Sequence, residues 1–314
     1  MSYRLISLTL ASAVAVGIAS AANAADIKLM TGPQGGSWYP LGGAIKNIVE
    51  TNVADSSVQV LPGAGIANVK AVQGGKADFG FANSVSTVDA INGNPPFDAK
   101  ADNVCNVATL YPQYFQVVAS ADAGIKTAAD FKGKALTTQK KGNTGEAITE
   151  HLLKAYGFSY DDMSRVSYGS YTDSVNQMKD GNAVIFTLGT TVPAGSIMDL
   201  ASARDIMLVP VPDDGLMKMK EINPGYQRIM VPAGSYPGQD AEVPTIGYST
   251  HIIVRCDLDA DLVYNVLTNL AASVPDLASV AKAVGKATPE SMAVETGVPL
   301  HPGAERFYKE KGVL

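Results

Sequence analysis

One pattern recurs along this chain: a short apolar run, a turn rich in glycine and small polar residues, and apolar positions at helical spacing. The first apolar run covers residues 25–31 and predicts a strand. The segment 40–51 follows it and predicts a helix, since Pro40 suits a first helical turn. The apolar positions of this helix are Leu41, Ile45, Ile48 and Val49. Strands that alternate with helices predict parallel sheets covered by helices.

The same unit returns in both halves of the chain. Further strands are predicted at 57–61, 77–82, 115–119, 135–138, 164–168 and 183–188. Further helices are predicted at 66–74, after Ser84, at 146–156 and at 171–180. The segment from Asp257 to the C-terminus is mainly helical in pattern. The predicted fold class is therefore α/β.

No segment rich in Pro, Gly or Ser separates the two halves, so strands are expected to join them. The crossings are predicted near 111–115 and 245–252. Removing a leader leaves about 290 residues, which is more than one core usually organises. We therefore expect two lobes, one made of 25–112 plus 249–314 and the other of 113–248.

The N-terminus has the pattern of a signal peptide. Arg4 precedes an uncharged apolar segment, 5–20, and Ala22-Asn23-Ala24 gives the small-x-small site that signal peptidase accepts. The apolar run is shorter than the roughly 20 residues of a membrane-spanning helix. We expect cleavage after residue 24 and a periplasmic mature protein that begins near Ala25; an uncleaved anchor is the alternative.

Composition narrows the class of partner. The net charge of −6 and the pI near 5.1 argue against nucleic acid, which requires a basic face. Cys105 and Cys256 fit an exported protein with either one disulfide or two buried thiols. Neither has metal-type spacing, so structural zinc is not expected and no residue is assigned as a metal ligand. We expect a monomer.

Signals for catalysis are weak. The histidines His151, His251 and His301 have no partner at metal or triad spacing. Phosphate-loop and nucleophile-elbow motifs are absent from the sequence, and 32–36 fails the G-x-G-x-x-G spacing. The adjacent acids Asp161-Asp162 and Asp213-Asp214 are predicted to lie in solvated loops. We therefore expect that the protein is not an enzyme and that it needs no cofactor.

The turns between strands and helices carry the candidate binding chemistry. Ligands bind beyond the carboxyl ends of parallel strands, and helix N-termini attract anions through free N–H groups. The turns 35–39, 63–65 and 142–145 stand at such places, and Trp38, Tyr39 and Tyr111 lie beside them. The candidate ligand-binding residues are Gly35, Gly36, Ser37, Trp38, Tyr39, Gly63, Ala64, Gly65, Asn83, Ser84, Tyr111, Gln139, Asn143, Thr144, Gly145, Gly189 and Thr190.

Two specific expectations follow for this site. Ser37, Trp38 and Tyr39 should face Asn143 and Thr144 across a cleft. The glycines of 63–65 should let the backbone approach the ligand, because a Cβ there would intrude. The expected solute is a small anion.

The order of several motifs resembles a known family. The segment 35–42 reads Gly-Gly-Ser-Trp-Tyr-Pro-Leu-Gly, and similar motifs follow at 75–80, 110–112, 129–134, 142–145, 188–189, 236–238 and 243–245. Together they resemble the TAXI family of solute-binding subunits of tripartite ATP-independent periplasmic (TRAP) transporters. The chain departs from the family pattern in the basic turn 139–145 and in Thr190-Thr191, where a proline is usual after Gly189.

The resemblance implies a two-lobed, type II periplasmic-binding (Venus-flytrap) fold. It also implies TRAP-type membrane carrier subunits as partners and a small carboxylate, of the amino acid or 2-oxo/dicarboxylate type, as solute. A receptor for an ATP-driven importer is the alternative within the binding class, because that fold is shared. A periplasmic enzyme on the same scaffold is the alternative from another class.

Overall fold

The computed structural model describes residues 25–32 and 37–314, so the predicted leader and Gly35 and Gly36 lie outside the described residues. The strands are β1 (Ala25–Met30), β2 (Ser56–Leu61), β3 (Phe79–Asn83), β4 (Cys105–Ser120), β5 (Ala135–Gln139), β6 (Arg165–Gly169), β7 (Ile185–Thr190), β8 (Ile206–Leu208), β9 (Gln227–Val231) and β10 (Val243–Val254). The helices are α1 (Trp38–Asn52), α2 (Gly65–Gln73), α3 (Ser84–Asn92), α4 (Thr144–Ala155), α5 (Tyr171–Lys179), α6 (Gly195–Ala201), α7 (Asp213–Ile222), α8 (Ala260–Ala272), α9 (Val274–Val280), α10 (Pro289–Met292) and α11 (Pro302–Glu310). Strands and helices alternate as predicted, which confirms the α/β class.

The strands form a mixed sheet in the order β2-β1-β3-β10-β4-β7-β5-β6, with β8 beside β4 and β9 beside β10. Strand β1 is parallel to β2 and β3, and β5 is parallel to β6 and β7. Strands β10 and β4 lie between these parallel groups and are antiparallel to their neighbours. The sheet therefore consists of two parallel groups that two long antiparallel strands connect.

These crossing strands are paired along most of their length. Their register runs from Val254 opposite Cys105 to Ile246 opposite Phe115. A disulfide joins Cys105 to Cys256, just beyond the end of β10, and so decides between the two alternatives for these cysteines. We call the half built on β1, β2 and β3 the first lobe, and the half built on β5, β6 and β7 the second lobe.

Each lobe buries its own apolar cluster. The first-lobe cluster packs the sheet against α1, α8 and α11, with Leu29, Ile45, Leu267 and Phe307 among its members. The second-lobe cluster includes Phe115, Leu136, Leu152 and Met219. Full burial of one such side chain contributes about 1.5–3 kcal/mol. Within 25–32 and 37–314, no helix combines the length and the apolarity that a bilayer crossing requires.

The structure differs from the sequence-based prediction mainly between 195 and 231. Helices α6 and α7 and strands β8 and β9 lie there without having been predicted. Asp213 and Asp214 were wrongly placed in a loop, since they open α7, where acids favour the helix N-terminus. Asp161 and Asp162 end a three-residue 3₁₀ turn. The lobe boundaries proposed from the sequence remain a prediction.

Candidate functional site

A cavity of about 120 Å³ lies between the two lobes. It is roughly ten times the volume that a single buried water requires, and therefore large enough for a small organic molecule. Its lining residues are Gly32, Ser37, Trp38, Ala64, Gly65, Asn83, Gln113, Gln139, Asn143, Thr144, Gly145, Tyr171, Gly189, Thr190 and Tyr248. The first lobe, the second lobe and both crossing strands all contribute to the wall.

Most of the predicted site residues meet at this cavity. Those that line it are Ser37, Trp38, Ala64, Gly65, Asn83, Gln139, Asn143, Thr144, Gly145, Gly189 and Thr190. The turns 37–38, 64–65 and 143–145 are thus brought together, although they are distant in sequence. Gly35 and Gly36 lie outside the described residues.

The other predicted residues lie beside the cavity, outside its lining. Tyr39 lies one residue further into α1 than Trp38, and Gly63 precedes α2. Ser84 accepts a hydrogen bond from the Ser249 N–H at 3.0 Å. Tyr111 is buried, and its hydroxyl accepts a hydrogen bond from Trp38 Nε1 at 3.1 Å. Tyr39 therefore does not join Ser37 and Trp38 in facing Asn143 and Thr144.

Sequence reasoning missed Gly32, Gln113, Tyr171 and Tyr248. Gln113 and Tyr248 lie on the crossing strands, within the predicted crossings, but strand register was needed to select them. Tyr171 opens α5 directly after β6 and its hydroxyl donates to the Gly189 carbonyl at 2.7 Å. Its position at a helix start following a strand was the signal that could have identified it.

Helices α1 to α4 all begin at the cavity, and none of them has a side-chain cap. Their N-cap residues are Ser37, Ala64, Asn83 and Asn143, and none of these side chains accepts a bond from its own helix. The first N–H groups of a helix have no partner within the helix. Within the described ranges 25–32 and 37–314, no N-cap side chain therefore engages the first N–H groups of these helices, and the positive ends of their dipoles lie at the cavity.

Two buried amide oxygens in the lining residues also lack partners. Asn83 Oδ1 and Gln113 Oε1 are buried without a hydrogen bond from any residue in 25–32 or 37–314. Gln113 Nε2 donates to Thr250 Oγ1 at 2.8 Å, which holds this amide at the wall. An unpaired buried polar group costs about 1–3 kcal/mol, so such groups call for a specific explanation.

The side chains that line the cavity are neutral at physiological pH. Burial raises the pKa of Tyr171 and Tyr248, so both phenols remain protonated. Lys141 lies outside the lining, with Nζ 5.7 Å from the centre of the Tyr168 ring. Arg228 is bonded to Asp213 at 2.7 Å. Any charge on a bound molecule would therefore meet dipoles rather than charged side chains.

The lobes are in contact across the cavity. Ser86 Oγ, on α3 of the first lobe, is 2.8 Å from Thr144 Oγ1, at the start of α4 in the second lobe. A Cβ at Gly65 would overlap this same Thr144 hydroxyl. A Cβ at Gly63 would overlap Asn68 Oδ1. The glycines thus make room for protein side chains, and the expectation that they let the backbone approach a ligand remains a prediction.

Aromatic contacts shape one wall. The ring of Trp38 stacks on Phe81, with centroids 5.6 Å apart and planes 18° apart. Together with its bond to Tyr111, this stacking fixes the indole at the cavity edge. Phe115 is fully buried in the second-lobe cluster.

The histidines lie away from the cavity lining. His251 is buried, with Nε2 2.8 Å from Thr87 Oγ1 and Nδ1 3.0 Å from Asn106 Oδ1. Burial lowers its pKa to about 3 and that of His151 to about 4. Both are therefore neutral at pH 7. Among the described residues, no group of His, Cys, Asp or Glu is arranged to hold a metal ion.

Comparison with known proteins adds a family and a fold. A family model described as the NMT1-like family matches residues 29–312. PhnD1 from Prochlorococcus marinus (MIT 9301), solved with methylphosphonate, has a TM-score of 0.54 and 11% identity, covering 93% of this chain and 100% of that one. An ancestral arginine-binding protein bound to arginine has a TM-score of 0.52 and 15% identity, covering 82% and 97%.

A third structure, the substrate-binding protein of an amino acid ABC transporter, has a TM-score of 0.50 and 13% identity, covering 83% of this chain and 98% of that one. Identities this low establish the fold alone. The two-lobed periplasmic-binding-protein fold is thereby confirmed, and two of these three structural neighbours are named as binding proteins.

Proposed function

We propose that this chain, which belongs to the NMT1-like family, is an exported solute-binding receptor that closes its lobes on a small anion. One observation carries the proposal: helices α1 to α4 begin, without side-chain caps, at a cavity lined by neutral side chains. A helix N-terminus carries the equivalent of about half a positive charge. Several such termini around one cavity favour a negative group there.

We propose a small carboxylate, of the amino acid or 2-oxo/dicarboxylate type, as the solute. A carboxylate accepts several hydrogen bonds, and bonds to a charged acceptor contribute about 1.5–3 kcal/mol each. Free backbone N–H groups and the amide N–H groups of Asn83 and Gln139 are available as donors to such a group, whereas Gln113 Nε2 already donates to Thr250. The cavity of about 120 Å³ favours a compact molecule.

The membrane partner has two candidates. Two neighbours of the same fold, the receptor of an amino acid ABC transporter and an arginine-binding protein, support delivery to an ATP-driven importer. The motifs at 35–42 and 142–145 support a TRAP-type carrier of the TAXI family instead. We favour the ATP-driven importer. Uptake in vesicles that are energised either with ATP alone or with an ion gradient alone would separate the two.

Export is part of the proposal and rests on the leader pattern of residues 1–24. The disulfide between Cys105 and Cys256 supports it, because such bonds persist in oxidising compartments. N-terminal sequencing of the exported protein should begin at or near Ala25.

The single tryptophan of the chain provides the test. Trp38 lines the cavity, so a panel of amino acids and short dicarboxylates, including 2-oxo acids, can be titrated against its fluorescence. A solute that binds only the folded protein should also raise its melting temperature. Saturable changes without turnover are expected. A panel in which no acid alters either signal would contradict the proposal.

A matched pair of glycine variants locates the site. Gly65→Ala should weaken binding by about tenfold or more, equivalent to ~1.4 kcal/mol, because the new Cβ would meet Thr144 and hold the lobes apart. Gly43→Ala, in α1, meets open space and should leave affinity unchanged, while stabilising the helix by about 0.5–1 kcal/mol. Equal affinities in the two variants would place binding elsewhere.

A further inference from the structure

Thr144 is the one predicted site residue whose side chain reaches across the cleft to a hydroxyl of the opposite lobe. Its partner, Ser86, is buried, lies in the first turn of α3 and is not part of the cavity lining. Their oxygens are 2.8 Å apart, although 58 residues separate them in sequence. Gly65, in the first turn of α2, leaves the space that the Thr144 hydroxyl occupies.

This contact joins three helix starts. Ser86 belongs to α3, Gly65 to α2 and Thr144 to α4, and each helix presents free N–H groups at its start. Like ends of helix dipoles repel one another, so bringing α4 against α2 and α3 has an electrostatic cost. A bound anion removes that cost, and a hydrogen bond between Ser86 and Thr144 opposes it.

We propose that Ser86 is a positioning residue for solute binding, which acts through Thr144 to hold the N-terminus of α4 against the N-termini of α2 and α3. Ser86 itself does not touch the solute. This inference rests on the proposed function and adds that closure of the cavity depends on a hydroxyl pair of which one member, Ser86, lies outside the cavity wall. Thr144 accordingly serves as the second-lobe end of the contact.

The second lobe offers a matched control. Thr137 Oγ1 donates to Ser174 Oγ at 2.9 Å, and both residues are buried. This hydroxyl pair joins β5 to α5 within one lobe. Ser174→Ala therefore removes a buried hydroxyl of the same kind without touching the contact between the lobes.

The experiment measures affinity and closure in Ser86→Ala, Ser174→Ala, Thr144→Val, Thr144→Ser and the double variant Ser86→Ala/Thr144→Val. The probe is a mixture of amino acids and short dicarboxylates that includes 2-oxo acids. Trp38 fluorescence gives the apparent affinity, and small-angle X-ray scattering with and without the mixture gives the radius of gyration.

Ser86→Ala should weaken binding by about two- to tenfold, the range of one hydrogen bond, and should enlarge the radius in the presence of the mixture. Thr144→Ser should bind more tightly than Thr144→Val because it keeps the hydroxyl. The double variant should bind no more weakly than the weaker single variant, since both changes remove one bond. Ser174→Ala should alter stability alone.

Unchanged affinity in Ser86→Ala, additive losses in the double variant, or equal losses in Ser86→Ala and Ser174→Ala would each overturn the inference. If no acid binds the wild type, the proposed function fails separately. The inference is then judged on the scattering of the solute-free proteins, where equal radii for wild type and Ser86→Ala overturn it and a larger radius in Ser86→Ala alone supports it.

Discussion

Helices α1 to α4, which begin at the cavity, differ from several other helices of the molecule. Helices α5, α8 and α10 have N-caps Ser170, Asp259 and Thr288, and each of these side chains accepts a bond from its own first turn. Of these three helices, α8 and α10 begin away from the cavity, whereas Tyr171, the first residue of α5, lines it. Ser37, Asn83 and Asn143 are residues of equally suitable type at the starts of α1, α3 and α4, yet they make no such bond.

The difference shows that the N-cap side chains at the cavity are of a type that can cap a helix but do not cap their own helices. A side-chain cap typically contributes about 1 kcal/mol. Leaving it unmade keeps backbone N–H groups free for another acceptor. Helices α1 to α4 therefore lack the stabilisation that the capped starts of α8 and α10 receive.

Replacing an N-cap residue at the cavity by a negatively charged residue should have the largest effect on affinity. Asn83→Asp would place a carboxylate beside the solute's own negative group. At about 5 Å and an effective dielectric constant near 20, the repulsion is roughly 3 kcal/mol, which corresponds to about a hundredfold loss of affinity. Titration of Trp38 fluorescence with the acid panel measures it, and thermal stability should be maintained.

The counterpart of this variant away from the cavity is Thr288→Asp at the start of α10. Aspartate is also a good cap, and Thr288 lies outside the cavity lining, so affinity should stay within twofold or so of wild type. Comparable losses in the two variants would mean that net charge, rather than position at the cavity, governs binding.

The effect of pH on stability can also be compared, because two carboxyl groups have pKa values shifted in opposite directions. Asp173, in the capped first turn of α5, has its pKa lowered by hydrogen bonds from Ser170. Asp89, near the end of α3, is buried, and this burial raises its pKa to about 6 against a value near 3.9 in the unfolded chain. Its charged form thus destabilises the native state above pH 6, and this effect disappears as the pH falls below 4.

The two asparagine variants should shift stability in opposite directions. Asp89→Asn should raise the free energy of unfolding at pH 8 by on the order of 2 kcal/mol, with no gain at pH 3. Asp173→Asn should lower it at pH 7, and this loss should vanish as the pH falls through the lowered pKa. Urea unfolding across this pH range measures both. A gain for Asp89→Asn that does not depend on pH would disprove the assignment.

Removing the N-cap serines should give the smallest effect. Ser170→Ala should cost about 1 kcal/mol of stability, because it breaks a capping box with Asp173. Ser37→Ala should cost only a few tenths, since Ser37 makes no cap bond. Urea unfolding of both variants at pH 7 measures the two losses of stability. Equal losses would remove the distinction between capped and uncapped helix starts.

Much of the fold could be predicted because its pattern is local. Apolar spacing and turn chemistry placed α2 at 66–74 and the structure has Gly65–Gln73. Helix α6 has only seven residues, and β9 is a half-buried strand at the side of β10, so neither gives a strong periodic signal. The helix starts around the cavity could be predicted for the same reason, because each is a local pattern in the sequence.

The remaining site residues depend on long-range pairing. Tyr248 and Gln113 face each other on the crossing strands, and only their register brings them to the cavity. The contact between Ser86 and Thr144 likewise exists only once the lobes meet. No spacing in the sequence encodes such a distance, whereas a strand followed by Gly, Asn or Ser and a helix is visible directly.

The disulfide near the ends of β4 and β10 has a mechanical consequence. Cys105 and Cys256 fasten the two crossing strands together on the first-lobe side of the sheet. Fastened strands can bend or twist as a unit, but they cannot slide past each other by a residue. The closure proposed for this receptor would therefore swing the second lobe on a ribbon of fixed alignment, which would return the same atoms to the same places each time.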